Sequence, residues 1–342
     1  MNSSTFLIKR ASITFGAFFC LILSACGEKK SAATTDWENQ SSTTITKQVT
    51  SVSPDNTDKA ATSEKTAAVK EEVRFLSYNL RNYLTMRRYA NGESSYTSKP
   101  EEEIEALLKV IIEGKPDILG ICEIGSKKDL ADFQKRLATK GVKLPHTHHV
   151  QGSDSVRSLA ILSKYPIKAH AKPEDSDYML EGKQFFIGRG ILDTTIHTAG
   201  KDIRFLGVHL KSKRPIKEAD QEMMRRNEAA LLRKHIDQIL NADKQAHLVV
   251  YGDFNDTKRT KTVYSIKGRA NSSIRLEPLD VADSRGELWT HHWAREDIYS
   301  RIDFCMVSLA LAPHINREAS RLLDPDYWSI GSDHRAMLVL IR

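Results

Sequence analysis

The residues best suited to chemistry in this sequence are Ser332-Asp333-His334, which immediately precede an apolar run that ends at Ile341. Aspartate and histidine recur at working sites because their surroundings readily shift their pKa values toward those that proton transfer requires. A solvated turn leading into a strand would have the same composition. The tripeptide therefore indicates catalysis only if other parts of the chain supply partners for it.

Acidic, amide and imidazole side chains also end or interrupt five other apolar runs. Short runs rich in β-branched and aromatic residues, with polar boundaries, predict β-strands. Polar side chains that a rigid scaffold presents at the ends of its strands are typical of a functional site. These residues are Asn79, Glu123, His209, Asp253 with Asn255, and Asp303.

Three of these positions carry a specific expectation. Asp253 and Asn255 are two residues apart, and in an extended chain side chains at that spacing point the same way, so both can reach one site. Asp303 lies between Ile302 and an apolar run, where a carboxylate is costly unless it is paired. His334 is the partner that we expect for it. Glu123 could instead be a solvated strand end, and both interpretations stay open at this point.

The donor types favour a hard metal ion. Carboxylate and amide oxygens suit magnesium, manganese or calcium better than zinc. His146, His148 and His149 match neither a helical histidine pair nor a zinc motif, and we interpret them as loop and strand surface. The sequence has no glycine-rich nucleotide cradle and no Gly-x-Ser-x-Gly elbow. Hydrolysis by a metal-activated water is therefore the reaction class that the residues favour.

Helices separate the predicted strands. Pro100 opens one, with an apolar face at helical spacing, and Gly114 ends it. A second is predicted over residues 128–139 and a third over 217–241, whose methionine and leucine side belongs to the core. Strands interspersed with helices indicate an α/β or α+β fold.

The first 25 residues predict an export signal. Lys9 and Arg10 precede an apolar run that is too short for a membrane span. Leu23 to Gly27 resembles the bacterial lipoprotein cleavage box, in which Cys26 becomes the lipid-bearing N-terminus. Because Gly27 is not aspartate, the resemblance favours the outer membrane, on its periplasmic or surface face. A plain signal peptide with an incidental cysteine is the alternative.

Residues 26–70 are predicted to be a flexible tether after the lipidated cysteine, since they cannot bury enough apolar surface to offset their ordering entropy. Residues 71–342 form the predicted catalytic domain. Of 51 basic and 44 acidic residues, eight and six lie in the first 70, so the remainder carries about +5. This charge suits a phosphate-bearing substrate and equally an ordinary solvated surface. Cys122 and Cys305 lie in apolar runs and are expected to be buried free thiols.

Six motifs occur here in the order found in the endonuclease/exonuclease/phosphatase superfamily, which the chain resembles from Val73 to its C-terminus. That superfamily includes pancreatic-type deoxyribonuclease, abasic-site endonucleases, neutral sphingomyelinases and inositol polyphosphate 5-phosphatases. The resemblance implies a four-layered sandwich of two mostly antiparallel sheets flanked by helices. The motifs are Ser77-Tyr78-Asn79, Glu123, His209-Leu210-Lys211, Gly252-Asp253-Phe254-Asn255, Arg301-Ile302-Asp303 and Ser332-Asp333-His334.

The resemblance also implies roles for individual residues. Glu123 resembles the principal ligand of Mg²⁺, with Mn²⁺ or Ca²⁺ as alternatives, and Asn79 and Asp333 resemble supporting residues. Asp303 and His334 resemble a dyad in which the carboxylate fixes the imidazole. In that dyad the imidazole takes a proton from the attacking water or stabilises the transition state as a cation.

Further roles follow from the same resemblance. Asp253 and Asn255 are similar to the pair that orients the nucleophile and the scissile phosphate. His209 resembles the second histidine of the deoxyribonuclease and sphingomyelinase branches, which abasic-site endonucleases lack. Arg81, Arg157 and Lys211 lie beside the motifs and either contact phosphate or are surface charges.

The expected function is a membrane-anchored, metal-dependent phosphodiesterase that acts as a monomer, with nucleic acid as one candidate substrate. A phospholipid, sphingomyelin or sugar-phosphate phosphoesterase is an alternative of the same class. A non-catalytic, lipid-anchored binding protein on the same fold is an alternative of another class. The complete polar set disfavours it, because a binding module has no need of all those residues.

Overall fold

The computed structural model describes residues 72–90 and 92–342, so the predicted export signal, Cys26 and the tether lie outside the described residues. Within those ranges, no helix is long and apolar enough to span a membrane. The helices are α1 (Glu101–Gly114), α2 (Lys127–Thr139), α3 (Gln221–Ala242), α4 (Lys261–Lys267) and α5 (Trp328–Gly331), with a 3₁₀ turn at Ala312–His314.

Most strands belong to two six-stranded sheets. The first has the order β17-β18-β1-β4-β6-β5 and the second β13-β16-β12-β11-β10-β7. The other strands form three two-stranded hairpins, β2-β3, β8-β9 and β14-β15. The strands are β1 (Val73–Tyr83), β2 (Met86–Ala90), β3 (Glu93–Thr97), β4 (Ile118–Ile124), β5 (His146–Val150), β6 (Ser158–Ser163), β7 (Ile167–Ala169), β8 (Asp177–Leu180), β9 (Lys183–Phe186), β10 (Ile191–Thr198), β11 (Lys201–His209), β12 (His247–Asp253), β13 (Leu276–Pro278), β14 (His291–Trp293), β15 (Ile298–Ser300), β16 (Asp303–Ser308), β17 (Ile315–Leu323) and β18 (Ala336–Ile341).

Each large sheet has one parallel pair near its centre, and this arrangement positions the site. Strands β1 and β4 are parallel, as are β11 and β12, whereas the other pairings are antiparallel. The carboxyl ends of two parallel strands lie at the same edge of a sheet. Asn79 therefore pairs with Cys122, the residue before Glu123, and His209 pairs directly with Asp253.

The core has three apolar layers, which explains the four-layered architecture. Phe75 on the first sheet packs against Phe205 and Tyr251 on the second, with ring centroids 5.0 and 4.9 Å apart. A second layer joins the outer face of the first sheet to α1 and α2, and a third joins the second sheet to α3 and α4. Each fully buried aromatic or leucine side chain contributes roughly 1.5–3 kcal/mol. The predicted fold class is confirmed.

Several element boundaries differ from the predictions. The third helix begins at Gln221 rather than at residue 217, because the Asp220 side chain caps it by accepting the backbone N–H of Met223. The apolar residues from Phe185 to Thr195, whose composition predicts one strand, instead belong to two strands, β9 and β10, which are separated by a segment that contains Gly190 at φ 76°.

The histidine-rich segment 146–150 forms β5, an edge strand of the first sheet. Its three histidines are partly exposed, in keeping with the predicted strand surface. Cys122 and Cys305 are buried free thiols, as predicted.

Candidate active site

Four of the predicted polar residues meet where the central strands of the two sheets end. The Asn79 amide Nδ2 lies 3.2 Å from Oδ2 of Asp253 and 3.5 Å from Oε1 of Glu123. Nε2 of His209 lies 3.6 Å from Oδ2 of Asp253 and 3.9 Å from Oε1 of Glu123. Asn79, His209 and Asp253 are each only 2% exposed. The site thus joins two strands of each sheet through a buried polar network.

His334 enters this network from the segment before β18, and Asp303 enters it from the start of β16. Nδ1 of His334 lies 2.7 Å from Oδ2 of Asp303, the contact that the sequence predicts. The opposite ring nitrogen, Nε2, lies 3.4 Å from the amide of Asn79 and 3.8 Å from Oδ2 of Asp253. The Ser332 hydroxyl accepts the His334 backbone N–H at 3.1 Å and donates to the Asn79 carbonyl at 2.8 Å. The imidazole is therefore oriented on both sides.

Thr290 is a positioning residue that sequence reasoning missed. Its hydroxyl donates to Oδ2 of Asp303 at 2.7 Å and accepts the backbone N–H groups of Ile302 and Asp303 at 3.1 and 3.0 Å. Thr290 is 1% exposed. The same carboxylate oxygen thus receives hydrogen bonds from Thr290 and His334, so the threonine fixes the acid that orients the imidazole.

The buried carboxylates control the charge of the centre. Burial alone would lower the pKa of His334, but the negative charges of Asp303, Asp253 and Asp333 raise that pKa to about 10. Burial and the neighbouring charge of Asp303 raise the pKa of Asp253 to about 7, although the imidazolium of His334 opposes this rise. At neutral pH the site therefore holds an imidazolium beside a carboxylic acid that is close to its ionisation point.

The other two histidines of the site carry no charge at neutral pH. Burial, together with the positive charges of Arg189, His334 and Arg157, holds the pKa of His209 well below its usual value. Burial and the charge of His334 lower the pKa of His291 to about 4. The His291 ring lies beside that of His334, with centroids 4.7 Å apart. These neutral imidazoles offer hydrogen bonds rather than charge.

Glu123 lies at a distortion of β4 and keeps its carboxylate accessible to a ligand. Its φ of 63° falls in the left-handed region, at a register shift between β4 and β6. Such a conformation costs of order 1–3 kcal/mol and is concentrated at functional sites. Within the described chain, the polar contacts of its carboxylate are long, at 3.5 Å to Asn79 and 3.9 Å to both His209 and Arg157. The oxygens therefore retain lone pairs for a cation.

Asp333 and Arg81 form the more exposed rim of the site. Oδ2 of Asp333 lies 3.7 Å from Nε of Arg81 and 3.9 Å from Nε2 of His291, and its Oδ1 lies 3.9 Å from Nε2 of His334. Among the residues that the structure describes, two sets of side chains bring ligand atoms within 4.8 Å of one another and could hold a metal ion. These sets are His291 with Asp333 and His334, and Asp253 with Asp303 and His334.

Arg157 and Lys211 differ in how they face the site. Nε of Arg157 donates to the side-chain oxygen of Asn82 at 2.8 Å and lies 3.9 Å from Oε2 of Glu123, so it borders the centre. The Lys211 ammonium instead donates to the carbonyl of Arg214 in its own loop, at 3.3 Å. Arg157 and Arg81 thus border the centre directly, whereas Lys211 stands beside it.

Asn255 does not lie in extended chain, so the expectation that strand alternation aims it alongside Asp253 is wrong. Strand β12 ends at Asp253, and Asn255 has a left-handed φ of 52°. Its backbone N–H donates to Oδ1 of Asp253 at 2.8 Å, and its amide donates to the carbonyl of Leu210 at 3.0 Å. Asn255 therefore fixes the Asp253 carboxyl and ties it to the loop after His209.

Comparison with known proteins places the chain in a family. A family model described as "Endonuclease/Exonuclease/phosphatase family" matches residues 79–275, more than half of the chain. A Drosophila melanogaster protein named "Putative neutral sphingomyelinase" is 29% identical over 133 residues. That match covers 38% of this chain and only 29% of the fly protein.

Solved structures share the fold at low sequence identity. An endonuclease/exonuclease/phosphatase family protein from Leptotrichia buccalis has a TM-score of 0.54 at 16% identity, covering 79% of this chain and 99% of its own. The catalytic domain of human Nocturnin has a TM-score of 0.52 at 18% identity, covering 79% and 94%. Staphylococcus aureus beta toxin has a TM-score of 0.53 at 13% identity, covering 78% and 99%. From the match to the family model, the chain belongs to the endonuclease/exonuclease/phosphatase family.

Proposed function

We propose that this protein is a divalent-metal-dependent phosphodiesterase that cleaves its substrate by in-line attack of water. Members of its family are hydrolases of phosphate esters. The observation that carries the proposal is the convergence of the Asp303–His334 pair, Asp253 and Glu123 in one buried site. A phosphodiester accumulates negative charge during attack, and a fixed imidazolium with adjacent amide donors stabilises that charge.

Each residue then has a distinct task. His334, held as an imidazolium by Asp303, faces the non-bridging phosphate oxygens through Nε2. Asp253, whose pKa lies near neutrality, accepts the proton of the attacking water. The Asn79 amide donates a hydrogen bond toward the same phosphate oxygens. Neutral His209 offers a hydrogen bond to the substrate from the end of β11.

The residues present fit a hard divalent cation. The Glu123 carboxylate has only long polar contacts to the described residues, and a carboxylate is the donor type that Mg²⁺ prefers. Glu123 would hold the ion, with Asn79 beside it and Asp333 at the rim as supporting residues. When bound, such an ion polarises the phosphate and neutralises part of its charge.

A simple diester tests the proposal. We expect the full chain, purified in detergent, to hydrolyse bis(p-nitrophenyl) phosphate when Mg²⁺ or Mn²⁺ is present. Plasmid DNA, RNA, sphingomyelin and phosphoinositides assayed in parallel identify the natural class of substrate. If the protein is folded and cleaves none of these with any divalent ion, the non-catalytic binding protein replaces this proposal.

A choline phosphodiester is the second candidate substrate, favoured by the similarity to the fly protein whose name specifies a sphingomyelinase. The matched segment is short, so that similarity alone does not decide between lipid and nucleic acid. Cleavage of sphingomyelin vesicles in preference to plasmid DNA and RNA would make this candidate the function.

We also propose that the catalytic domain is displayed on the outer membrane through lipid on Cys26. Cys26→Ser is expected to abolish the incorporation of labelled palmitate and to release the protein from the membrane fraction, because acyl chains supply the anchoring energy. Cys20→Ser, within the leader, is the matched control and should retain the label. Labelled Cys26→Ser protein would contradict the anchor.

A further inference from the structure

A buried arginine on the His209 side of the site has no role in the steps above. The Arg189 side chain is 11% exposed, compared with 27% for Arg157. Its Nε is buried without a well-directed hydrogen bond in the described part of the chain, and Oδ2 of Asp154 lies 3.3 Å away as an ion-pair partner. Burying a guanidinium costs several kcal/mol unless its charge is answered. Asp154 answers the charge of Arg189, but the buried Nε–H still lacks a well-directed acceptor, which a ligand could supply.

Asp154 links the loop that carries Arg189 to the loop that carries Arg157. One carboxylate oxygen accepts the backbone N–H of Arg157 at 3.2 Å, while the other faces Arg189. The backbone N–H of Asp154 donates to the Gly188 carbonyl at 2.7 Å. The two loops touch at Gly152, where an added Cβ would lie 2.4 Å from the backbone of the second loop. Only glycine allows this approach, so the two arginines are held at a fixed spacing.

Glu228 links the Arg189 loop to the loop that carries Lys211. This glutamate on α3 is 1% exposed and accepts the backbone N–H groups of Gly188 at 3.0 Å and Lys211 at 2.6 Å. The Lys211 carbonyl in turn accepts a hydrogen bond from buried Arg225 at 3.0 Å. Three loops bearing three cations are thus fastened together by carboxylates beneath them.

These cations act on the same region of the site. Nε of Arg157 lies 3.9 Å from Glu123. Ile191, two residues after Arg189, pairs with Val208, the residue before His209, so the Arg189 loop lies next to the end of β11. Arg189 therefore lies on the side of the site that His209 forms, where Asp154 and Glu228 hold its loop in place.

We infer that Arg189, together with Arg157 and Lys211, forms a second anion subsite beside His209, which binds a further phosphate group of the substrate. The inference rests on the proposed phosphodiesterase function and narrows its substrate class. A guanidinium fork suits a phosphate in geometry and charge. The substrate accordingly carries a second phosphate near the scissile one, as in an oligonucleotide or a phosphorylated inositol headgroup. A choline headgroup would instead bring a quaternary ammonium toward three cations.

A pair of dinucleotides tests the subsite. The full chain is assayed in detergent with Mg²⁺. We expect kcat/KM to be about 10- to 100-fold higher for thymidylyl-thymidine with one terminal phosphate than for the same dinucleotide without it. Arg189→Gln should bring this ratio close to one, and Arg189→Lys should keep part of it because the charge remains without the fork. The ratio of the dissociation constants of the two dinucleotides, measured by calorimetry, checks the same preference without relying on catalytic turnover.

Two further arms complete the test. Arg321→Gln removes an exposed arginine on β17 and should keep the full ratio. Glycerophosphoinositol compared with its 4-phosphate shows whether the second phosphate is instead that of an inositol headgroup. The subsite is overturned if a second phosphate gives no gain in either pair, or if the gain persists in Arg189→Gln. If the folded wild-type protein cleaves none of the phosphodiesters tested, the phosphodiesterase function itself is rejected, while the binding ratio still decides the subsite.

Discussion

His334→Ala is expected to lower kcat for bis(p-nitrophenyl) phosphate by about 10²- to 10⁴-fold. The substitution removes an imidazole that is buried, tied to Asp303 at 2.7 Å and directed toward Asn79 and Asp253. The cost falls on kcat rather than on KM if the ring acts mainly on the transition state. His197→Ala, which removes an exposed histidine paired with Asp202, is the matched control and should retain the wild-type rate.

The pH profile determines whether His334 acts as a cation or as a base. With its pKa raised to about 10, His334 is protonated below that pH and loses its charge above it. Activity that requires the imidazolium should therefore fall on the alkaline side, whereas activity that requires a neutral base should rise there. On the acid side, activity should rise as Asp253 ionises around pH 7. A bound cation lowers both pKa values, so the diagnostic feature is the direction of the alkaline limb.

Asp303→Asn tests whether the fall in activity at alkaline pH is caused by deprotonation of His334. Removing the negative charge beside Nδ1 should lower the pKa of His334 and move the falling limb to lower pH, with an amide still present to accept a hydrogen bond. Thr290→Val should move it by a smaller amount in the opposite direction, because Asp303 loses a competing side-chain donor and its charge then acts more strongly on His334. A rate for His334→Ala near that of the wild type, with the fold intact, would exclude the imidazole from the reaction.

The strand ends that carry the site could be predicted because a polar residue directly follows an apolar run at each of them. Each of Glu123, His209 and Asp253 follows a run of apolar residues that is fully buried in the structure. A polar residue at such a position is either at a solvated end or part of a shared site, and the order of the motifs decides between these options. The pairing of Asp303 with His334 followed from electrostatics alone, since a carboxylate at the start of a buried strand needs a partner.

The supporting residues could not be found in this way because tertiary contacts define them. Thr290 and Arg189 lie in short connecting segments where neither periodicity nor burial can be read from sequence. Asn255 was assigned the wrong local conformation, since strand alternation does not extend past Asp253 into a left-handed turn. Glu228 offered one usable indication. It is a carboxylate on the apolar side of α3, where a charge is rare unless it binds specific backbone groups.

Removal of divalent metal by EDTA is expected to abolish hydrolysis, and Mg²⁺ or Mn²⁺ should restore it. Glu123→Gln keeps the shape of the side chain but removes the charge, and it should lower kcat/KM by about 10³-fold, equivalent to roughly 4 kcal/mol of transition-state stabilisation. Titration calorimetry of the full chain with Mn²⁺ should show the corresponding loss of affinity. This readout is independent of turnover.

Metal binding is assigned to Glu123 rather than to another carboxylate because its contacts differ from theirs. Asp303 accepts hydrogen bonds from Thr290 and His334, and Asp253 accepts them from the amide of Asn79 and the backbone of Asn255. Glu123 has only long contacts and a strained backbone that turns it into the site. Glu102→Gln, which alters an exposed residue of α1, is the control and should keep both activity and affinity. Wild-type Mn²⁺ affinity in Glu123→Gln would move the metal to the cluster of His291, Asp333 and His334.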